Sequence, residues 1–433
     1  MTKPCRIALL GVGTVGGGVA DLLARNGEDI ESRTGIRFEI ACALARNRER
    51  AAKRLGGNIA VESDWRRIFS EHEFDIAVEL IGGETDACES MLAAFARNKP
   101  VVTANKALLA TRGGEILASA AKGAAGIYFE AAVAGCIPAI RLLKGALAGD
   151  RIRHIRGIIN GTCNYMLTRM RTDGMSSSDA LAEAQQLGYA EADPTLDVDG
   201  LDAAHKAVIM AWLAFGTPLT MNNIAVTGVR TIAAKEIEYA AEFGFCLKLL
   251  ANVELIEEAV SIWVSPALVA DNHTLAQVEG SMNAVQAKAD AAGELSLIGA
   301  GAGAGPTASA VVSDLVECAT DLACNRVPVM PPENSRKVLA AEMFNCQSYL
   351  RVPAMDKPGV MARATGVLAD LDISIEAVRQ PESDSGAKTD VVFLLHETSW
   401  QNLHKACKML AGLDDVTDWP VLLPIAVPHT EKK

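Results

Sequence analysis

The chain has 433 residues, 50% of them hydrophobic, and a formal net charge of −12 at pH 7. That length supports two or three domains with real cores, while an acidic balance with no basic tail or arginine-rich stripe argues against nucleic acid and anionic membranes as partners. No apolar run reaches the ~18 residues of a membrane span, and ten cysteines without CxxC or His–Cys zinc spacing indicate free thiols in a reduced, cytoplasmic protein.

The opening MTKPCRIALLGVG is basic and then apolar. Its apolar part is short and runs into glycines with no small-residue cleavage site, so it is read as a first strand rather than a signal peptide. Strands are expected at residues 6–10, 38–44, 75–81, 100–103 and 127–130, alternating with helices at 15–25, 47–55, 87–98 and 114–122. Alternating β and α with apolar strands means a doubly wound parallel sheet, a Rossmann-like domain over residues 1–135.

Gly11-Val12-Gly13-Thr14-Val15-Gly16 ends the first strand and opens the first helix. This is the context the dinucleotide fingerprint requires. Gly11 allows the tight turn, Gly13 lets backbone approach a pyrophosphate, and Gly16 lets helix and strand pack closely. The helix start, through Thr14 and Val15, offers free N–H groups and the positive end of its dipole. The second strand ends in Ala45-Arg46-Asn47-Arg48 with no acid for a ribose 2′-hydroxyl. Arg46 or Arg48 suits a 2′-phosphate, which favours NADP over NAD.

Residues 136–323 mix helices with strands expected at 226–228, 249–255 and 261–265, an α+β domain ending in a helix at 308–323. In the run GAGAGPTAS the glycines are not followed by the Lys-Ser pair of a phosphate-binding Walker loop. Residues 324–347, with VPVMPPE, read as a linker. Residues 348–433 form a separate small unit: strand 348–352, helix 360–371, strands 373–379 and 391–395, helix 400–413, strand 421–426. The βαββαβ order is ferredoxin-like.

The segment LGYAEADPTLDVDGLDAAHK at 187–206 sets Glu191, Asp193, Asp197, Asp199 and Asp202 ahead of Lys206. The helix beyond is apolar almost all round, as a buried helix is. A lysine at the mouth of such a helix is a candidate for proton transfer. Asp193 before Pro194 fits turn chemistry, and Asp199 fits a helix cap with Asp202 three residues on. Asp202 and Lys206 share one helix face.

GVGTVG at 11–16, TANK at 103–106, FEAAVAGCIP at 129–138, the 187–206 segment, NGTCNYML at 160–167 and GAGAGPTASAVV at 301–312 together resemble homoserine dehydrogenase of the monofunctional bacterial type, nearly end to end. With no kinase domain ahead of it, the chain resembles the single-activity enzyme. The resemblance implies NAD(P)-dependent interconversion of L-homoserine and L-aspartate 4-semialdehyde, on the route to threonine and methionine. It makes Lys206 the proton donor and acceptor and places Lys106 beside substrate and nicotinamide. An unperturbed lysine has a pKa of about 10.4. A base near neutrality needs burial or a second cation such as Lys106 to lower it, since carboxylates would raise it. Glu191 and Asp202, with Asp197, Tyr189 and Thr162, match substrate contacts. Gly188 and Gly303 match cofactor contacts. Glu130, with the carbonyls of Val133, Gly135 and Ile137, matches a monovalent cation site, usually sodium.

MDKPGVMARATGVLADLDISIEAV at 355–378 resembles an ACT regulatory domain, which implies threonine as feedback effector and a homodimer or homotetramer. Two other readings stand beside this one. One is a non-catalytic nucleotide and amino-acid sensor. The other is an acylating semialdehyde dehydrogenase with Cys136 as the nucleophile. Cys163 and His205, close to the motifs, are read as packing residues.

Overall fold

The computed structural model describes residues 3–222, 224–331, 336–340, 344–381 and 387–429. The chain forms two compact units, one of residues 1–161, 204–222 and 282–337, the other of residues 162–203, 223–281 and 338–433. The division falls inside the helix Leu201–Phe215. Parts of the expected linker, 332–335 and 341–343, lie outside the described residues.

In the first unit, six strands form one sheet: β1 (Cys5–Leu10), β2 (Phe38–Leu44), β3 (Ala60–Glu62), β4 (Ile76–Glu79), β5 (Val101–Thr103) and β6 (Ile127–Tyr128). Their order is β3-β2-β1-β4-β5-β6, and all five pairings are parallel. The order reverses between β1 and β4, the switch point where open α/β sheets bind ligands beyond the strand ends. Ile7 to Leu10 are fully buried, as strands covered on both faces must be. The β3 strand and the helix Trp65–Glu71 were not anticipated. Three residues carry no periodicity, and that helix is started by Asp64, whose side chain accepts from the Arg66 N–H.

The expected helix at 114–122 is the second part of a longer helical run, Lys106–Lys122, which is kinked at Arg112, where φ −127° and ψ 17° are not helical. Asn105 caps it, and Gly113 lies inside it against Leu219, where a Cβ would stand 2.4 Å from Cδ1. The late helix Ala304–Ala323 returns to this sheet and packs Val311 and Leu315 into one core with Ile7, Leu9 and Val19. The unit also holds an antiparallel set in which Met282–Ala289 lies between Ile152–Ile158 and Gly293–Ala300.

In the second unit, Phe245–Ile256 and Ala259–Ala270 form a long antiparallel hairpin. The ferredoxin-like module keeps its βαββαβ order, with sheet order Val421–Val427, Asn345–Met355, Lys388–Ser399, Ile375–Arg379. Helices Val360–Ala369 and Trp400–Ala411 cover one face, sealing a core of Leu350, Val352, Phe393 and Leu403. The module is not separate, as the sequence had suggested. Its last strand pairs in parallel with Ala259–Ala270, which uses an edge that would otherwise expose unpaired N–H and C=O groups. A buried ion-pair cluster ties the other face down: Arg351 donates to Glu236 (2.7 Å) on the helix Ala234–Glu242 and to Asp390 (2.7 Å), which also pairs with Lys235. Among the described residues, no helix is long and apolar enough to cross a membrane.

Candidate active site

The glycine loop sits at the switch point of the first unit. Gly11 has φ +112°, and a Cβ there would lie 2.4 Å from the Leu80 carbonyl oxygen. A Cβ on Gly16 would lie 1.9 Å from the Gly11 carbonyl oxygen, but one on Gly13 would meet nothing within 4 Å. Gly11 and Gly16 are therefore demanded by the fold. Gly13 is not, and the room in front of it suits an approaching phosphate. The helix Thr14–Thr34 starts with no side-chain cap, leaving the N–H groups of Thr14, Val15 and Gly16 without intrahelical partners. A Cβ on Gly18 would lie 2.8 Å from the Ala304 carbonyl, so Gly303 (φ +120°), which caps the helix Ala304–Ala323, is brought beside this helix.

At the end of β2, Arg48 donates to the Val61 carbonyl at 2.7 Å and so has a structural use. Arg46 is exposed and free to reach outward. Arg54 escaped sequence reasoning. Its guanidinium overlies Gly17, approaches the Gly13 carbonyl at 3.5 Å and pairs with Asp21 at 2.9 Å.

Lys106 opens its helix through a relay that starts at another residue the sequence did not reveal. Buried Glu79, at the end of β4, accepts from the Thr103 hydroxyl (2.6 Å) and from the N–H groups of Ile81 and Gly82. Thr103 accepts from the Asn105 N–H (3.0 Å), and Asn105 caps the helix by accepting from Leu108. Burial pushes the Glu79 carboxyl above its ordinary range, and these donors pull it back.

Lys206 is 7% exposed, and its Nζ donates to the Ile159 carbonyl at 2.6 Å. Burial of an ammonium is costly unless hydrogen bonds compensate. The Leu201–Phe215 helix is buried along nearly its whole length, as its composition predicted. It begins at Leu201, after Gly200, so Asp199 is not its cap. Asp199 instead ends the short helix Thr195–Val198 and binds Arg230 at 2.8 Å. Asp193 accepts from the Thr195 N–H and hydroxyl, which is turn chemistry. Asp202 is 8% exposed.

In the second unit Thr162, Tyr189 and Asp197 come together. The Thr162 hydroxyl donates to the Tyr189 carbonyl at 2.6 Å and lies 3.4 Å from Asp197 Oδ2. The Cys163 thiol donates to the Asp197 carbonyl at 3.2 Å. Tyr189 is 46% exposed, and Glu191 is exposed too. Gly188 has φ +76° and turns the chain into this loop.

Glu130 lies past the end of β6, in a 3-10 turn rather than in the strand. Its carboxylate accepts from the N–H groups of Ile140 (2.8 Å) and Arg141 (3.0 Å) and pairs with the Arg141 side chain at 3.3 Å. Burial raises its pKa. Burial likewise pushes Asp314, which accepts from the Glu130 N–H, up to about 8 against the pull of Arg141. A carboxylate offers about four lone-pair sites, so one remains for a hard cation. Among the described residues no N–H donates to the carbonyls of Val133 or Gly135, whereas Ile137 already accepts from Ala139. Ala134 (φ +56°) and Gly135 (φ +61°) are both left-handed, a conformation that costs a non-glycine residue about 1–2 kcal/mol. The donor types therefore fit a monovalent cation. Cys136 donates its thiol to the Ala300 carbonyl.

Residues 11–130 match the family model described as "Homoserine dehydrogenase, NAD binding domain", residues 138–316 match "Homoserine dehydrogenase", and residues 348–399 match "ACT domain". A homoserine dehydrogenase from Neisseria gonorrhoeae is 41% identical over 96% of this chain and 97% of its own. The crystal structure of a homoserine dehydrogenase from Thiobacillus denitrificans superposes with a TM-score of 0.93, at 39% identity over 98% of this chain and 99% of that one. A hyperthermophilic archaeal homoserine dehydrogenase solved in complex with NADPH matches with a TM-score of 0.62, at 26% identity over 74% of this chain and 98% of that one. These matches lend no support to the sensor reading or to an acylating enzyme built on Cys136.

Proposed function

The chain belongs to the homoserine dehydrogenase family of NAD(P)-dependent oxidoreductases, and within that activity we propose that Lys206 moves the hydroxyl proton. A nicotinamide cofactor held by the loop Gly11–Gly16 would supply the hydride acceptor for homoserine oxidation and the hydride donor for the reverse reaction. As the carbonyl forms, the hydroxyl proton passes to Lys206 Nζ, and in the reverse direction Nζ gives it back. The observation that carries this reading is a buried amine anchored on a backbone carbonyl, at the mouth of an apolar helix. A carbonyl accepts from an amine or an ammonium alike, so it holds Nζ in place through both halves of the cycle.

Glu191 and Asp202 take the substrate ammonium, with Asp197 in support. Tyr189 and Thr162 fix the loop on which Asp197 stands, and Lys106 supplies the second cation. The loop Gly11–Gly16 with Gly188 and Gly303 takes the cofactor, and Arg46 favours NADP. A monovalent cation, sodium by resemblance, is held by Glu130 with the carbonyls of Val133, Gly135 and Ile137. Residues 136–323 serve catalysis and dimerisation, in a homodimer or homotetramer. The ACT module takes threonine as inhibitor. Ten free cysteines suit a reducing cytoplasm.

Steady-state oxidation of homoserine, followed at 340 nm with NAD and with NADP, with and without threonine, tests the whole reading. Lys206→Ala is expected to abolish turnover while NADPH still binds. Turnover near the wild-type rate in that variant sinks the role given to Lys206.

A further inference from the structure

The helix Gly161–Asp173 works on two faces. On one, Thr162 and Cys163 hold the Tyr189 and Asp197 backbone. The rings of Tyr165 and Tyr189 meet at a 48° tilt with centroids 5.0 Å apart, and Arg169 forks onto Glu183 at 2.8 and 3.1 Å. On the other, Asn164 Nδ2 donates to the Val278 carbonyl at 3.1 Å, and Thr168 Oγ1 accepts from the Gly280 N–H at 3.1 Å. Thr162 and Asn164 are two residues apart, about 200° around a helix, so their side chains point to opposite sides.

Lys248 reaches the second face from the strand Phe245–Ile256. It is 1% exposed, and its Nζ donates to the Val278 carbonyl at 2.6 Å and to Asn164 Oδ1 at 3.3 Å. No carboxylate bonds to it among the described residues. Glu279, whose charge reaches it, is paired with Arg171. Burial holds its pKa below the ordinary lysine value, but amine and ammonium both donate. A buried lysine with no carboxylate bonded to it is poor for stability, and an apolar side chain of similar volume is often no worse. What Lys248 contributes is orientation. Bound to Oδ1, it leaves Nδ2 as the end of Asn164 that meets Val278, and so pins the helix against rotation about its axis.

We propose that Lys248 is a positioning residue for the substrate loop, acting through Asn164 to fix the rotation of the helix Gly161–Asp173 and with it the places of Tyr189 and Asp197. The inference rests on the reading that this loop holds homoserine.

Lys248→Met keeps the stem and removes the donor. It should raise KM for homoserine by about tenfold or more, leave KM for NADP unchanged, and change kcat by less than KM. Lys248→Gln, which keeps one donor, should fall between Met and wild type. Asn164→Leu should reproduce the Met phenotype, and the double variant should be no worse than either single one. A folded Lys248→Met enzyme with an unchanged homoserine KM overturns the proposal. So does an equal rise in both KM values, or a double variant whose loss is the product of the two. Should Lys248→Met fail to fold, Lys248→Gln and Asn164→Leu carry the same comparison. Thr162→Val and Asp197→Asn test the premise separately: if both leave the homoserine KM untouched, the loop does not hold the substrate, whatever Lys248 does.

Discussion

Gly13 and Gly16 stand three residues apart in one motif, yet alanine should harm them in different ways. At Gly16 the new Cβ would sit 1.9 Å from the Gly11 carbonyl oxygen, and real Cβ contacts essentially never fall below 3.0 Å. The difference, 3.0 − 1.9, obliges the Gly11 turn to retreat by at least 1.1 Å. That turn is clamped by the Leu80 carbonyl on one side and donates to the Leu44 carbonyl on the other, so Gly16→Ala should destabilise by roughly 1–3 kcal/mol, as overpacking does. At Gly13 φ is −80° and nothing lies within 4 Å. Gly13→Ala should cost no more than about 1 kcal/mol, arising from a ψ of −149° outside the usual β region rather than from any clash. The added methyl would nevertheless stand where a pyrophosphate must approach. An offset of about 1 Å at that contact is worth on the order of a hundredfold, or about 2.7 kcal/mol. Thermal melting and fluorescence titration with NADPH separate the two effects. Gly13→Ala should melt within a few degrees of wild type and bind NADPH about a hundredfold more weakly. Wild-type affinity in Gly13→Ala would refute the assignment of that open space to the cofactor, and an unchanged melting temperature in Gly16→Ala would refute the packing argument.

Two further outcomes follow from charged groups. Arg46→Ala should raise KM for NADP about tenfold, the loss of one charge-assisted hydrogen bond, and leave NAD unaffected; an equal effect on both cofactors removes Arg46 from the 2′-phosphate site. At Asp390, burial acts to raise the carboxyl, but Arg351 and Lys235 prevail and hold it below its ordinary 3.8. The unfolded chain therefore takes up the proton first as pH falls, so this pair stabilises above about pH 4 and the gain is lost as pH drops through the lowered folded value. Asp390→Asn should cost about 2 kcal/mol at neutral pH and flatten the acid limb of a urea-denaturation series. An acid limb as steep as wild type would show that the carboxylate contributes nothing to it.

How much of this was legible in the sequence depends on where the determining contacts lie. The strands around Ile7 and Val78 could be read because burial on both faces writes an unbroken apolar run. The three-residue β3 writes no pattern at all. The break that Gly113 and Gly114 suggest is real, because Arg112 leaves helical φ/ψ, but the turns from Lys106 that precede it were missed. Asn105 as a cap was the signal for those turns, and what requires glycine at 113 is Leu219, more than a hundred residues away. The ferredoxin-like module was legible internally, whereas its pairing through Val421–Val427 with Ala259–Ala270 is a register between distant strands that no local pattern encodes.

The two buried lysines carry the same lesson to the site. Lys206 stood out because its neighbours in sequence supply both the apolar helix that buries it and a run of acids ahead of it. Lys248 sits in the strand sequence Phe245-Cys246-Leu247-Lys248-Leu249-Leu250, where alternation would point one lysine to solvent. Both faces of that strand are in fact covered, and the acceptors for its ammonium come from Asn164 and Val278, 84 and 30 residues away. Glu79 and Arg54 are of the same kind, ordinary charges whose use is set by partners brought in from other elements. A buried lysine is visible in sequence when its environment is local. When tertiary packing builds the environment, only the hydrogen-bond partners reveal it, and for Lys248 those partners lead back to the loop of Tyr189 and Asp197.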